Sequence, residues 1–165
     1  MAILLEQDFD TIVLCSNYLE QLSHEHENLI KKYEYIPDDL VVIFNSNHPS
    51  ITLQNYIKRM FKYLQLRQDD LLYAMNLIEH LMNVCKTRYT YILTPTTIHK
   101  LLASSILITL KITDDKFYYQ TYYAKIFGMT RDCLTQCEIN FLLYIQFSVY
   151  ISMEIFNDYK HSILD

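Results

Sequence analysis

The sequence of 165 residues predicts a single all-α domain built around one buried helix. Glycine and proline are scarce, with one and three residues, which favours helices joined by short turns. Apolar residues recur with the spacing i, i+3, i+4, i+7 through most of the chain. The segment 98–112 is apolar nearly all round, with Ala103, Ser104 and Ser105 at its middle. Because a helix that is apolar on every side has to be enclosed by protein, we expect the other helices to pack around this one.

The first 48 residues predict helices ahead of the main bundle. One amphipathic helix follows Asp8, and a second begins with Ser23 as its cap and ends at Pro37. Residues 38–48 leave two alternatives open, since their apolar run LVVIF is compatible with a short strand or with a turn of helix.

Three helices are predicted between residues 49 and 115. The first has a regular apolar face (Leu53, Tyr56, Ile57, Met60, Phe61 and Leu64). Asp69 and Asp70 open the second. The third is the buried central helix, for which Thr94 is the predicted cap and Pro95 the first helical residue.

Three further helices complete the prediction. The fourth places tyrosines 119, 122 and 123 on one face with Ile126, and it ends at Gly128, a residue that readily adopts the left-handed conformation. The fifth is capped by Thr130 and has a predicted core face (Leu134, Cys137, Phe141 and Ile145). Ser152 opens a final amphipathic helix that ends the chain.

Composition excludes several classes of function. There are 14 basic and 19 acidic residues, and this acidic balance argues against a protein held on nucleic acid by phosphate contacts. A single glycine excludes a phosphate-cradling loop, a dinucleotide fingerprint and a nucleophile elbow. No pattern of catalytic residues is recognisable, so we expect no enzyme, no cofactor and no small-molecule substrate.

The cysteines and the apolar runs indicate the compartment. Cys15, Cys85, Cys133 and Cys137 lie within apolar helical patterns, and no secretory signal is recognisable in the first residues, which favours reduced, buried thiols over disulfides. No apolar run approaches the length of a membrane span. We therefore expect an intracellular protein, in the cytoplasm, the nucleus or both, without a membrane partner.

Two sets of residues have the composition of metal sites but not the spacing. The run 24–27 alternates His and Glu, which places the two residue types on different faces of a helix, so a solvated helical turn is favoured. Cys133 and Cys137 lie one helical turn apart, and no further ligands with recognisable spacing accompany them. We predict no metal site.

Two isolated charges in apolar surroundings are candidate functional residues. Lys111 ends the central helix and is followed by Asp114 and Asp115. Glu138 lies among apolar residues of the fifth predicted helix. Taken alone, each charge is better explained by a position at the water edge or by pairing inside the domain than by a functional role.

Taken together, these features resemble the cyclin box. Three stretches carry the resemblance, PSITLQNYIKRMFKYLQL at 49–66, HKLLASSILITLKITDDKFYYQTYYAKIFGM at 99–129 and LTQCEINFLLYIQFSV at 134–149. A lysine, paired aspartates, aromatics and then YAKxxG are most similar to the single-box cyclins of the phosphate-signalling group, also called P- or U-type. The resemblance implies a five-helix cyclin box at 49–150, a helical extension at 1–48 that packs on it, and a C-terminal helix at 151–165.

The resemblance also implies a function and a site. It implies a non-catalytic regulatory subunit that forms a heterodimer with a cyclin-dependent protein kinase and activates it by stabilising the active arrangement of its C helix. Lys111 and Glu138 occupy the places of a lysine and a glutamate that order the kinase-binding surface of cyclins. Around them the resemblance implies an exposed apolar patch and acidic residues that meet the kinase (Ile108, Ile112, Ile139, Leu142, Val149, Asp114 and Asp115).

Two other functions remain open on the same fold. Cyclin-box domains also occur in transcription factors and in peptide-binding pocket proteins, and an adaptor that binds another protein without a kinase would use the same groove. The stretch YIKRMFKY differs from the first helix of cell-cycle cyclins, which docks basic-hydrophobic substrate motifs, because it carries Lys58, Arg59 and Lys62.

Overall fold

A computed structural model describes residues 4–34, 39–47, 49–87, 90–115 and 118–165. Within these ranges all regular structure is helical, and the predicted all-α fold is confirmed. Two helices precede a five-helix bundle and one helix follows it. Their bounds are α1 Glu6–Tyr33, α2 Asp39–Phe44, α3 Leu53–Leu64, α4 Gln68–Lys86, α5 Ile98–Thr113, α6 Gln120–Phe127, α7 Arg131–Tyr144 and α8 Met153–Leu164.

The prediction of two helices in the first 37 residues is wrong, because α1 is one continuous helix of 28 residues. Ser23 is not a cap but a buried residue inside α1, and its hydroxyl donates to the Glu20 carbonyl at 2.7 Å. A serine that bonds back to its own helix needs no helix end, so the residue type alone was misleading. The helix ends at Tyr33, and Pro37 lies outside the described residues.

The apolar run LVVIF, for which the sequence allowed either a strand or a helix, is helical. It forms the short α2, whose Leu40 and Phe44 lie one turn apart and are both buried. The Phe44 ring meets the ring of Phe141 edge to face, with their centroids 6.3 Å apart. The flanking Asp38 and His48 lie outside the described residues.

Helices α3 and α4 begin with caps of different kinds. At α3 the hydroxyl of Thr52 accepts from the Asn55 amide at 3.2 Å. At α4 the buried carboxylate of Asp70 accepts from the Arg67 amide at 2.9 Å and from the Arg67 guanidinium. The helix therefore begins at Gln68, one residue before the predicted start, because Asp70 acts as the third helical residue of a capping box.

The central helix α5 begins at Ile98 rather than at Pro95. The predicted cap, Thr94, lies in a turn before the helix, and its carbonyl accepts from the Thr97 and Ile98 amides at 3.1 and 3.0 Å. Thr97 is the residue at the boundary, and its buried hydroxyl donates to the Ile92 carbonyl at 2.6 Å. The threonine hydroxyls bond within the turn, which delays the helix by three residues.

Enclosure of α5 is confirmed, since every residue from Leu101 to Leu110 is buried. Helices α4 and α7 form its main contacts, and α1, α2 and α6 complete them. The polar side chains in this stretch bond to carbonyls of α5 itself, Ser104 to Lys100 at 2.7 Å and Thr109 to Ser105 at 2.8 Å. Burial therefore leaves none of these hydroxyls unsatisfied.

The predicted C-terminal end of α6 and the predicted N-terminal caps of α7 and α8 are confirmed. Gly128 ends α6 with φ at 69°, and the hydroxyls of Thr130 and Ser152 accept from the amides three residues ahead. The predicted face of α6 is only partly buried, because Tyr123 and Ile126 pack in the core whereas Tyr119 is exposed. The predicted core face of α7 is buried throughout (Leu134, Cys137, Phe141 and Ile145).

The burial of the cysteines agrees with the expected reduced thiols, since three of the four are buried. Burial raises the pKa of Cys15 and of Cys137 to about 12, and Cys133 is half-buried.

Among the described residues, no group of three or more histidine, cysteine or carboxylate side chains is arranged to hold a metal ion. In the same ranges no helix is both long enough and apolar enough to cross a bilayer.

Replacement Tyr56→Phe tests the contact that holds the end of α6 on α3. The buried Tyr56 hydroxyl donates to the Phe127 carbonyl at 2.7 Å, and the phenylalanine would leave that carbonyl unpaired. We expect the free energy of unfolding to fall by about 1–2 kcal/mol. Urea titration followed by circular dichroism measures it, with Tyr150→Phe as the matched control, because the side chain of Tyr150 is exposed. Equal losses in the two variants would contradict this prediction.

Replacement Gly128→Ala tests the backbone conformation that ends α6. A methyl group on Gly128 would meet no atom within 4 Å, so its only cost is the positive φ. We expect a loss of about 1 kcal/mol in the free energy of unfolding, and a smaller loss for Gly128→Asn, since asparagine tolerates the left-handed region. The same urea titration measures both variants, and an unchanged Gly128→Ala protein would contradict the assignment.

Candidate partner-binding site

Lys111 and Glu138 meet directly in the folded protein. Lys111 lies in the last turn of α5 and Glu138 lies near the middle of α7, and the distance from Nζ to Oε1 is 2.7 Å. The lysine side chain is 35% exposed and the glutamate side chain 12% exposed. The pair is therefore partly desolvated and stands at the rim of the helix bundle.

A third residue, Gln120, bonds to both members of the pair. Its role was not predicted from the sequence. Its Oε1 accepts from Lys111 at 3.3 Å, and its Nε2 donates to the second carboxylate oxygen of Glu138 at 3.0 Å. The same amide nitrogen lies 3.4 Å from the hydroxyl of Thr135. Gln120 is the first residue of α6, so the ends of α5 and α6 are joined to α7 by one hydrogen-bonded group.

The electrostatics of this group explain why it fixes geometry. A mostly buried carboxylate is costly unless its oxygens are bonded, and here Lys111 and Gln120 each bond one oxygen of Glu138. Lys111 also lies at the carbonyl end of α5, where the helix dipole favours a cation. Because each partner satisfies the others, removal of one would leave a partly buried charge without its counterpart.

The predicted apolar residues divide into exposed and buried ones. Ile112 and Ile139 follow Lys111 and Glu138 in sequence and are 45% and 44% exposed. Leu142 and Val149 are half-buried. The expectation that Ile108 belongs to an exposed patch is wrong, since its side chain is 3% exposed. Ile108 precedes Lys111 by three residues and lies on the stretch of α5 that the other helices enclose.

Leu143 belongs to the exposed apolar surface although sequence reasoning did not select it. Its side chain is 54% exposed and lies one helical turn after Ile139 on α7. The spacing of four residues from Ile139 was the signal that could have identified it. We define the apolar rim as Ile112, Ile139 and Leu143, next to the pair of Lys111 and Glu138.

The two aspartates after α5 differ in their surroundings. Asp114 lies 3.9 Å from the guanidinium of Arg67, which is itself bonded to Asp70 at 3.0 Å. Burial and the neighbouring charge of Asp70 raise the pKa of Asp114, and Arg67 opposes this effect. Asp115 is exposed and forms no ion pair with the described residues. Arg67 therefore partly compensates the charge of Asp114, whereas Asp115 has no such ion pair among the described residues.

Comparison with known proteins identifies the family of the fold. The family model for cyclins matches residues 11–149. Cyclin-U4-2 of Arabidopsis thaliana is 26% identical over 155 residues, covering 93% of this chain and 69% of the relative.

Two further relatives give similar values. Cyclin-P3-1 of Oryza sativa subsp. japonica is 24% identical over 148 residues, and Cyclin-U3-1 of Arabidopsis thaliana is 26% identical over 136 residues. These matches cover 90% and 82% of this chain, but less than two thirds of those relatives, 61% and 58%. The match across α1 to α7, with relatives in both the P- and U-type groups, shows that the chain belongs to the cyclin family, with the regulatory, non-catalytic character of that family.

Proposed function

We propose that this chain is a regulatory subunit that binds a cyclin-dependent protein kinase and activates it by stabilising the active arrangement of the kinase C helix. The observation that supports this function is the ion pair of Lys111 and Glu138 at 2.7 Å, beside the exposed apolar rim. An ordered charge pair next to apolar side chains suits a helix with one apolar face and a few polar groups. The chain itself contributes no catalytic residue to this function.

The exposed area of the apolar rim favours a permanent or recurrent protein partner. Ile112, Ile139 and Leu143 each leave about half of their side chain in water, on the two packed helices α5 and α7. Covering apolar surface contributes roughly 25 cal/mol per Å² removed from water, and contiguous apolar patches on a surface often mark sites of association. A helix laid across this rim would also shield Lys111 and Glu138 from water.

Activation then follows from differential binding. A kinase whose C helix moves between an inactive and an active position is shifted toward the active one by a protein that binds that position more tightly. A change from mostly inactive to mostly active requires roughly 5 kcal/mol of differential affinity. The inward C helix places the lysine and glutamate pair of the kinase for phosphoryl transfer. A kinase partner of this kind implies that the chain acts in the cytoplasm or nucleus, in cell-cycle control or phosphate signalling.

Acidic residues support the choice of a basic partner surface. The chain has a formal charge of −5, and Asp115 projects from the end of α5 without an ion pair to the described residues. Charge complementarity of this kind mainly raises the association rate and the selectivity for a partner. Asp114 contributes less, because Arg67 of the same chain lies beside it.

Single replacements at the ion pair test the proposed site. Lys111→Ala and Glu138→Ala each leave the other charge unpaired and disorder the rim, so we expect kinase recovery to fall about tenfold or more, as for a loss of 1.4 kcal/mol in binding. The tagged chain is purified from its source cell, the bound kinase is identified by mass spectrometry, and affinity and kinase activity are then measured with the purified kinase. Lys31→Ala is the matched control, since it breaks an exposed ion pair with Glu27 within α1.

Circular dichroism separates a loss of kinase binding from a loss of folding in these variants. Helical circular dichroism should stay unchanged in all three variants, because none of them alters the enclosed part of α5. Kinase recovery that is equal for Lys111→Ala, Glu138→Ala and wild type would refute the site. Binding that requires the site but leaves kinase activity unchanged would favour the adaptor function instead.

A charge exchange separates ordering of the rim from direct contact with the kinase. The double variant Lys111→Glu with Glu138→Lys retains an ion pair between α5 and α7 with its polarity reversed. If the pair acts by ordering the rim, we expect the double variant to bind the kinase more tightly than either single charge reversal by about tenfold, a coupling near 1.4 kcal/mol. Double-mutant analysis of the dissociation constants measures this coupling. Additive losses would assign direct kinase contacts to the two residues.

A further inference from the structure

A basic surface lies at the opposite end of α5 from the candidate site. A cleft of about 440 Å³, here named the basic cleft, is bounded by the loop before α3, by α3, by the start of α5 and by the end of α6, and its charged lining residues are Arg59 and Lys100. A second, more open cleft of about 420 Å³ adjoins it through Arg59 and also contains Lys58 and Lys62. Among the described residues, neither lining contains a carboxylate, although the chain has more acidic than basic residues.

Arg59 and Lys100 are held by carbonyl groups rather than by carboxylates, whereas the ammonium groups of Lys58 and Lys62 lie over the rings of Phe9 and Tyr63. The Nη2 atom of Arg59 donates to the Lys125 carbonyl at 3.2 Å, and the Nζ atom of Lys100 donates to the Asn45 carbonyl at 2.9 Å. In the parts of the chain that the structure describes, Lys58, Arg59, Lys62, Lys100 and Lys125 form no ion pair within 4.0 Å. A carbonyl oxygen orients a cationic group but leaves its net charge uncompensated.

Among the described residues outside this surface, some cations are paired and some are not. Lys31, Arg67, Lys111 and Lys160 have a carboxylate within 4.0 Å, whereas Lys32, Lys86 and Arg131 do not. The feature that distinguishes this surface is that Lys58, Arg59, Lys62 and Lys100 line two adjoining clefts. Such a local positive field attracts an anion even on a protein whose total charge is negative.

His99 shapes the basic cleft without adding to its charge. Its Nε2 donates to the Ile51 carbonyl at 3.2 Å, and its ring lies 4.9 Å from the ring of Tyr56. Burial lowers the pKa of His99, so that the imidazole is neutral near pH 7. The fixed charge inside the cleft therefore comes from Arg59 and Lys100, which belong to two different helices.

We propose that the basic cleft binds a phosphorylated serine or threonine side chain within an acidic segment of a protein partner. A phosphate dianion matches two cations that approach it from different helices, and an arginine can donate two parallel hydrogen bonds to its oxygens. Lys58 and Lys62 line the adjoining cleft, where carboxylates on either side of the phosphorylated residue would meet them. A peptide confines its charge to this surface, whereas a long nucleic acid would also meet the acidic remainder of the chain.

The proposal does not depend on kinase binding by the candidate site. Lys100 and Lys111 are separated by eleven residues of one helix, which corresponds to roughly 16 Å along its axis. A test with the isolated chain of 165 residues therefore reports on the basic cleft alone, whatever the result of the kinase experiments.

Fluorescence anisotropy with synthetic peptides tests the cleft. The probe is a fluorescein-labelled peptide with one phosphoserine between glutamates, and its partner is the same peptide with unmodified serine. We expect the wild-type chain to bind the phosphorylated peptide at least about tenfold more tightly, and Arg59→Ala and Lys100→Ala each to lose about tenfold, because hydrogen bonds between two charged groups are roughly twice as strong as neutral ones. Lys31→Ala is the matched control, since it removes the same charge from α1 and lines neither cleft.

Three results would overturn the proposal. The first is equal affinity for the two peptides, and the second is an equal loss in Lys31→Ala and Lys100→Ala, which would assign binding to total charge. The third is tighter binding of a single-stranded RNA oligonucleotide that displaces the phosphopeptide, which would make the cleft a nucleic-acid site. Circular dichroism monitors folding, and Lys100→Gln, which keeps most of the side chain, replaces any variant that loses helicity.

Discussion

Burial of α5 on all sides is the constraint on which the rest of the structure depends. Because every residue from Leu101 to Leu110 is buried, the helices around α5 have to cover its whole circumference. Its hydroxyl groups accordingly bond to carbonyls of the same helix, as Ser104 and Thr109 do. Only the ends of α5 reach water, and charged side chains on this helix are therefore confined to those ends.

The two ends of α5 carry surfaces of different character. At its C-terminal end, Lys111 is compensated by Glu138 and surrounded by exposed apolar side chains. At its N-terminal end, Lys100 is oriented by a carbonyl and belongs to a cleft whose described lining residues include no carboxylate. The enclosed helix between them separates the two surfaces by roughly 16 Å along its axis.

The ion pair of Lys111 and Glu138 acts on shape more than on stability. A salt bridge with one mostly buried partner returns little net free energy, because desolvation of the carboxylate offsets much of the attraction. Its effect here comes from Gln120, which bonds both charges and fixes the start of α6 against α5 and α7. The positions of Ile112 and Ile139, each adjacent to one of the charges in sequence, are set by the same group.

The sequence alone determined which segments are helical from Leu53 onward, the enclosure of α5, and the ends at Gly128, Thr130 and Ser152. These features depend on local apolar spacing and on backbone preferences of single residues, which can be read without knowledge of the fold. The cyclin resemblance selected Lys111 and Glu138, but their contact, the bridge through Gln120, the burial of Ile108 and the exposure of Leu143 were decided by the tertiary structure. The continuity of α1 through Ser23 and the gathering of Arg59 and Lys100 into one cleft were decided in the same way, because distances between helices depend on packing across the core, which local periodicity does not specify.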